Sequence, residues 1–300
     1  MDQFILKNGG YSILIGSKYY KEFIPIKKGK LVKITKKTNK HDDSRYISLI
    51  QSIIDSNDYY CIPENTHKLI SPSDDFYSYL KQLTGNKCLS MFLDNNSLPI
   101  SYIDYGGNKD LLDTICDIKE YNNFNIWKSN KAILKFIKHM LYGIYYLHDK
   151  KLCHLDIKPE NILVNTYTKT YKLIDFGFSS LEPFDDYVYD FKGTAGYFPR
   201  QYTFDTPTEE LPIILANDTF YVDGKLPMHK NRKLVYKIDS YCFGRVLYYL
   251  NYTYNKYKTH HCFNLEKKKG EKIKAIIDAL LENDVNKRIT IKECIDIFNL

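Results

Sequence analysis

The chain has 300 residues, 44% hydrophobic and 26% charged, with a formal net charge of +7. That is the profile of a globular protein large enough to fold as two lobes around a cleft. No uncharged apolar run approaches the roughly 18 residues of a membrane span, and seven scattered cysteines without a CxxC pair suggest neither a zinc ribbon nor a disulfide framework.

The opening segment MDQFILKNGG lacks the basic and apolar blocks of a secretory signal, and Asp2 stands where myristoylation requires glycine. The expectation is an intracellular, soluble protein: cytoplasmic, or in a host cell or virion if the chain is viral. The 28 tyrosines, with abundant Lys, Ile and Asn, suit an AT-rich organism or a large DNA virus.

The first hundred residues read as β-rich. YSILIGSKYYKEFIPI and KLVKITKK carry β-branched and aromatic residues around a Lys/Gly turn, the pattern of a hairpin. The basic stretch from Lys27 to Lys40 has no interleaved aromatic residues, so it reads as a solvated hairpin, and no nucleic-acid partner is expected. DDSRYISLIQSIIDS places Ile47, Ile50, Ile53 and Ile54 on one helical face, with Asp42 or Asp43 as its cap. ENTHKLISPSDDFYSYLKQLTGN reads as a loop and a short helix, followed by two strands in KCLSMFLDNN and LPISYIDY.

After the turn at GGN the pattern becomes helical. KAILKFIKHMLYGIYYLH sets Ile133, Phe136, Ile137, Met140, Leu141 and Ile144 at helical spacing. ILV and YKLIDF are short strands flanking a turn. KIDSYCFGRVLYYLNYTY, EKIKAIIDALLEN and TIKECIDIFNL supply the remaining helices. His260, His261 and Cys262 form the only metal-like cluster, and without a partner cluster they read as a surface turn. A β-rich lobe, residues 1–104, joined to a larger helical lobe, residues 105–300, predicts a cleft at the joint, where ligand sites tend to lie.

HLDIKPEN, from His154 to Asn161, followed by Asp175, Phe176 and Gly177, resembles the eukaryotic-type protein kinase family, and the likeness extends over most of the chain. The resemblance implies an α+β, bilobal protein-kinase-like fold with a small β-rich N-terminal lobe and a larger, mainly helical C-terminal lobe. It implies ATP and Mg2+ as cofactors and a protein substrate with a serine or threonine acceptor. Asp156 would orient the substrate hydroxyl and Lys158 would neutralise charge on the transferring phosphoryl group, while Asn161 and Asp175 would hold magnesium. Lys158 resembles the serine/threonine branch, as does Thr194 in GTAGYFPRQY.

The nucleotide side matches less closely. The family's GxGxxG loop aligns with Leu6 to Leu14, where Gly9 keeps the middle glycine and Lys7 and Ser12 replace the outer two. The strand lysine aligns with Lys33, with Lys36 as the alternative register. In the next helix Tyr46 stands where the family places a glutamate, so Asp43 or Asp175 is left as the carboxylate for that lysine. IDYGGNKDL resembles the hinge: Ile103 as gatekeeper, backbone groups of Asp104 and Gly106 for adenine, and Asp110 for ribose.

Asp239 matches the residue that braces the catalytic loop. Arg288 matches a late arginine whose family partner, a glutamate, is replaced by Gln201. The 38 positions from Gln201 to Asp239 hold an insertion, 203–230. Leu155 replaces the arginine that contacts a phosphorylated activation segment, implying that phosphorylation between Phe178 and Lys192, for example at Ser179, Ser180 or Tyr187, is not required for activity through this contact. The alternative reading is a pseudokinase that works as a nucleotide- or partner-binding scaffold.

Overall fold

The computed structural model describes residues 7–8, 12–16, 27, 30–35, 46–64, 68–71, 73–84, 97–120, 129–182, 187–188, 194, 196–197, 226–227, 233–257, 268–284 and 286–300. The expectations placed on Leu6, Gly9, Lys36, Asp42, Asp43, Gln201, the KCLSMFLDNN strand, His260–Cys262 and nearly all of the insertion lie outside the described residues. The chain divides into two compact units, Met1–Ser52 with Cys61–Gly106, and Ile53–Tyr60 with Gly107–Leu300.

The first unit is an antiparallel sheet of β1 (Lys7–Asn8), β2 (Ser12–Ile15), β3 (Lys30–Thr35), β4 (Lys68–Ile70) and β5 (Leu98–Asp104), ordered β1-β2-β3-β5-β4. Period-two alternation gives the sheet two distinct faces. Ile13, Ile15, Val32, Ile34, Leu98, Ile100 and Tyr102 turn to one face and pack against Phe76 and Leu80. Those two residues, one helical turn apart, come from helix α3 (Asp74–Thr84), whose first turn is capped by the Ser73 hydroxyl accepting from the Phe76 N–H at 3.2 Å. A one-residue slip of β3 would carry Val32 and Ile34 out of this core, each losing about 1.5–3 kcal/mol of burial.

The other face is aligned by register: Leu14 opposite Lys33, Lys33 opposite Ser101, and Leu31 opposite Ile103. β4 lies within a stretch expected to be a loop; three residues are too few for alternation to show.

The helix expected over the Ile47 region is shorter and broken. α1 covers Ile47–Gln51, and α2 covers Ser56–Tyr59. Between them the Ser52 hydroxyl donates to the Leu49 carbonyl at 2.6 Å, and Asp55 takes a left-handed φ of 56°. The break leaves Ile47, Ile50 and Ile53 buried but turns Ile54 outward at 80% exposure, so the four isoleucines do not share one face.

In the second unit, β6 (Lys109–Asp110), β8 (Ile162–Asn165) and β9 (Thr170–Leu173) form a small sheet ordered β6-β8-β9. Gly107 makes its approach possible, since a Cβ there would lie 2.6 Å from the Val164 carbonyl oxygen. Helix α4 (Leu111–Glu120) follows, then α5 (Asn130–Asp149), with Ser129 as a side-chain N-cap and all six spaced apolar residues buried. β7 (Leu152–Cys153) and the 3-10 turn Pro159–Asn161 bracket the catalytic-loop sequence. β10 (Ser180–Leu181) pairs antiparallel with β7, and β11 (Tyr187–Val188) with β12 (Leu226–Pro227).

Helices α6 (Lys233–Tyr257), α7 (Lys268–Leu280) and α8 (Ile291–Ile297) complete the unit, the last opened by a Thr290/Glu293 capping box.

Candidate active site

The segment between β7 and β8 is held from below by one carboxylate. Asp239, fully buried on α6, accepts the backbone N–H of His154 and of Leu155, each at 2.8 Å, and faces His148 Nε2 at 2.9 Å. Burial alone would push its carboxyl up, but His148 and the loop N–H groups outweigh that and hold it below the usual carboxylate range. Leu155 adopts a left-handed φ of 63° with its side chain buried, an unfavourable conformation that the two bonds to Asp239 over-determine. His148, Cys153 and Asp239 bring potential metal-binding atoms within 4.8 Å of one another. Burial holds the Cys153 thiol strongly protonated, and both Asp239 oxygens are engaged, so the cluster is a hydrogen-bonded brace.

His154 is locked above this brace. Its Nδ1 accepts the Asp156 N–H at 3.3 Å, which leaves Nε2 to donate to the Ile174 carbonyl at 3.1 Å. Its ring packs on Phe176 at a centroid distance of 4.9 Å, and Phe176 in turn meets Tyr60 edge-on at 5.9 Å. Tyr60 is fixed by its hydroxyl on the Gly143 carbonyl of α5.

Three of the predicted catalytic residues converge with Thr194. The Asn161 amide donates to the Asp156 backbone carbonyl at 2.8 Å and to Asp156 Oδ2 at 2.9 Å. The Lys158 ammonium lies 2.9 Å from Asp156 Oδ2 and 2.6 Å from the Thr194 hydroxyl. That hydroxyl donates to Asp156 Oδ1 at 2.9 Å. Burial pulls the Lys158 ammonium toward neutrality, but the Asp156 carboxylate, aided by Glu160 and Asp175, outweighs it and raises its pKa. Both hydrogens of the Asn161 amide face Asp156, so its carbonyl oxygen remains as a ligand atom.

Asp175 is tied to the same turn through Ile174 N–H on the Asn161 carbonyl at 3.0 Å, and sits at a left-handed φ of 64°. Thr194 is set by the Tyr197 N–H on its carbonyl at 3.1 Å, and Gly196, at φ 84°, presents its own carbonyl to Arg245 Nε at 2.8 Å.

The predicted nucleotide residues fall into separate groups. Leu14, Lys33 and Ile103 share the sheet face opposite the apolar core, with Ser101 between Lys33 and Ile103. Asp104 turns its side chain to Lys30, at 2.6 Å, and its carbonyl already accepts the Cys61 thiol at 3.0 Å. Gly106 is buried. Asp110 is also buried, and its Oδ1 accepts the Asp113 N–H at 2.7 Å, capping α4.

Tyr46 lies at the N-cap of α1, and no glutamate occurs from Ile47 to Tyr60. Arg288, also buried, donates from Nε to the Glu282 carbonyl at 2.9 Å and stacks over Tyr241 at 4.7 Å. Ser179 is buried with its hydroxyl on the His154 carbonyl at 3.3 Å, so it is not an accessible phosphorylation site in this conformation. The sequence reading missed His148, Tyr60 and Glu182. For His148 the local signal was the polar run HDK at the end of α5; Tyr60 and Glu182 carried none.

Residues 87–210 match the family model described as the protein kinase domain. The serine/threonine-protein kinase pim-2 of Danio rerio is 38% identical over 107 residues, 34% of this chain and 34% of that protein. Calcium-dependent protein kinase 4 of Plasmodium berghei is 31% identical over 139 residues, 45% of this chain and 25% of that protein. The matches thus span about a third or less of these relatives' lengths. The solved structure of the Cydia pomonella granulovirus kinase PK-1 superposes with a TM-score of 0.55 at 15% identity, covering 97% of this chain and 91% of that one, a likeness of fold. The matched domain model over residues 87–210, the shared fold and the ordered HLDIKPEN and DFG elements together support a divergent eukaryotic-type protein kinase.

Proposed function

We propose that this chain is a serine/threonine protein kinase that transfers the γ-phosphate of ATP, with magnesium, to a hydroxyl of a protein substrate. The observation that carries the reading is the triangle of Asp156, Lys158 and Thr194, each within 2.9 Å of the next. Asp156 orients the acceptor hydroxyl and takes up its proton as the hydroxyl oxygen bonds to the γ-phosphorus and the bond from that phosphorus to the β–γ bridging oxygen breaks, releasing ADP. Lys158 compensates negative charge on the phosphoryl oxygens, and Thr194 holds both side chains in register. Asn161 Oδ1 and the Asp175 carboxylate are hard oxygen donors on two segments joined by the Ile174 N–H on the Asn161 carbonyl, a set suited to magnesium. When bound, that ion neutralises charge on the phosphate oxygens.

Lys33, Leu14 and Ile103, with Leu6, Gly9, Asp110 and the backbone of Asp104 and Gly106, are the proposed nucleotide contacts. Leu155 cannot bond a phosphate, so activation-segment phosphorylation is not required through that position. A pseudokinase scaffold is the second reading, supported by the absence of a glutamate in α1 and α2. Among the described residues no helix is long and apolar enough to cross a membrane.

Labelled ATP, magnesium and a generic protein substrate test the proposal, with acid hydrolysis of the product to identify the acceptor. Label on phosphoserine or phosphothreonine, absent with Asp175→Asn, is expected. Label only on phosphotyrosine removes the serine/threonine assignment. ATP-induced thermal stabilisation with no transfer by wild type would establish the scaffold reading instead.

A further inference from the structure

With Leu155 in place of a cation, the stretch after Phe176 has lost its usual attachment to the catalytic loop, yet it is bound at several points. Ser180 and Leu181 pair with Cys153 and Leu152, and the Glu182 N–H donates to the Lys151 carbonyl at 2.8 Å. That carbonyl belongs to a residue at a left-handed φ of 62°.

The Glu182 side chain adds two further contacts. Oε2 accepts the Tyr236 hydroxyl at 3.0 Å and the Lys151 ammonium at 3.1 Å. Lys151 is two-thirds exposed, so its ion pair contributes little. Tyr236 is different: it lies on α6, its phenol is held protonated by burial and by its neighbours Cys153 and Glu182, and its ring packs on His148 at 4.9 Å. His148 bonds Asp239, the residue that holds His154 and Leu155. An unbroken set of contacts thus runs from Glu182 through Tyr236, His148 and Asp239 to the backbone beside Asp156.

We propose, resting on the kinase reading above, that Glu182 and Tyr236 are positioning residues that dock the start of the activation segment onto the α6 brace of the catalytic loop, in place of a phosphate-dependent contact. A carboxylate built into the chain supplies the anchor that phosphorylation supplies elsewhere. The phosphatase-treated enzyme is therefore already ordered over residues 177–182.

The test compares phosphatase-treated wild type, checked by mass for absence of phosphate, with Glu182→Ala, Glu182→Gln and Tyr236→Phe. Amide hydrogen exchange is read over residues 177–182 and over α5, with kcat and the KM for ATP measured alongside. Glu182→Ala and Tyr236→Phe are expected to speed exchange in 177–182 by about tenfold, the worth of one lost hydrogen bond, and to lower kcat while the KM for ATP stays within about twofold. Glu182→Gln keeps an acceptor for Tyr236 and should recover most of both.

Unchanged exchange in 177–182 overturns the proposal. So does an equal rise in α5, which marks general destabilisation, or a Glu182→Gln variant as impaired as Glu182→Ala. Loss of wild-type activity on phosphatase treatment overturns it as well. A wild type inert in every state removes the kinase reading instead, and the exchange comparison then decides the anchor by itself.

Discussion

Replacing Asp239 with asparagine removes the charge beneath the catalytic loop while keeping the side chain's shape. Asp239 is completely buried and receives three contacts at 2.8–2.9 Å, from His154 N, Leu155 N and His148 Nε2. An asparagine has one acceptor oxygen, so it can satisfy one side of the brace and must turn its own N–H groups toward the other. With its oxygen on the side of His154 and His148, it loses the bond from Leu155 N–H, about 1.5–3 kcal/mol, and the charge assistance of the other two, so the expected cost is about 3 kcal/mol. For a unit of this size that corresponds to a fall in Tm of about 6–12 °C by calorimetry.

The pH dependence gives an independent reading. The folded pKa of Asp239 is depressed, so its contribution is complete above the ordinary carboxylate value near about 4 and is lost as pH falls through the folded pKa. The gap between wild type and Asp239→Asn should therefore be constant from neutral pH to about 5 and close in stronger acid. A Tm within about 2 °C of wild type at pH 7 would show that the brace does not carry the loop.

Other perturbations separate the remaining assignments. Gly107→Ala puts a Cβ 2.6 Å from the Val164 carbonyl, where neither backbone can yield, and should lower the Tm of the second unit and slow its refolding. His139, stacked on Tyr59 at 4.7 Å, has its pKa lowered by burial despite the opposing Tyr171 carbonyl and Asp58. Its stabilising contribution is full above the ordinary histidine value and declines as pH falls below it. Protection factors of α2 amides, corrected for the intrinsic exchange rate at each pH, should then be lower at about pH 5 than at about pH 7.5, and His139→Gln should flatten that difference. If Lys33→Met removes ATP-dependent thermal stabilisation while Lys36→Met leaves it, the strand register assigned to β3 holds; the reverse result moves it by three residues.

How far these features could be read from the chain depended on how local their causes were. The α5 core face and the β2–β3 hairpin follow from spacing within a single element, and both are present. HLDIKPEN and DFG carry their chemistry in adjacent residues, and Asp156, Lys158 and Asn161 do lie together. What spacing could not show was set at a distance or by one turn. Ile54 points outward because Ser52 and Asp55 end the helix, a competition between side-chain and backbone bonding that periodicity does not register. The Asp104 side chain faces Lys30, 74 positions earlier, a pairing that spacing within the hinge segment does not register. The contact between Glu182 and Tyr236 joins residues 54 positions apart on elements with no shared pattern.

The central claim is that Asp156, held by Asn161, Lys158 and Thr194, performs phosphoryl transfer. Its most direct measurement is kcat for phosphatase-treated wild type against Asp156→Asn, with ATP-induced thermal stabilisation recorded for both. A loss of about 10²–10⁴-fold in kcat with the stabilisation intact is predicted, the usual worth of a positioned proton acceptor. Equal rates in the two proteins would contradict the account.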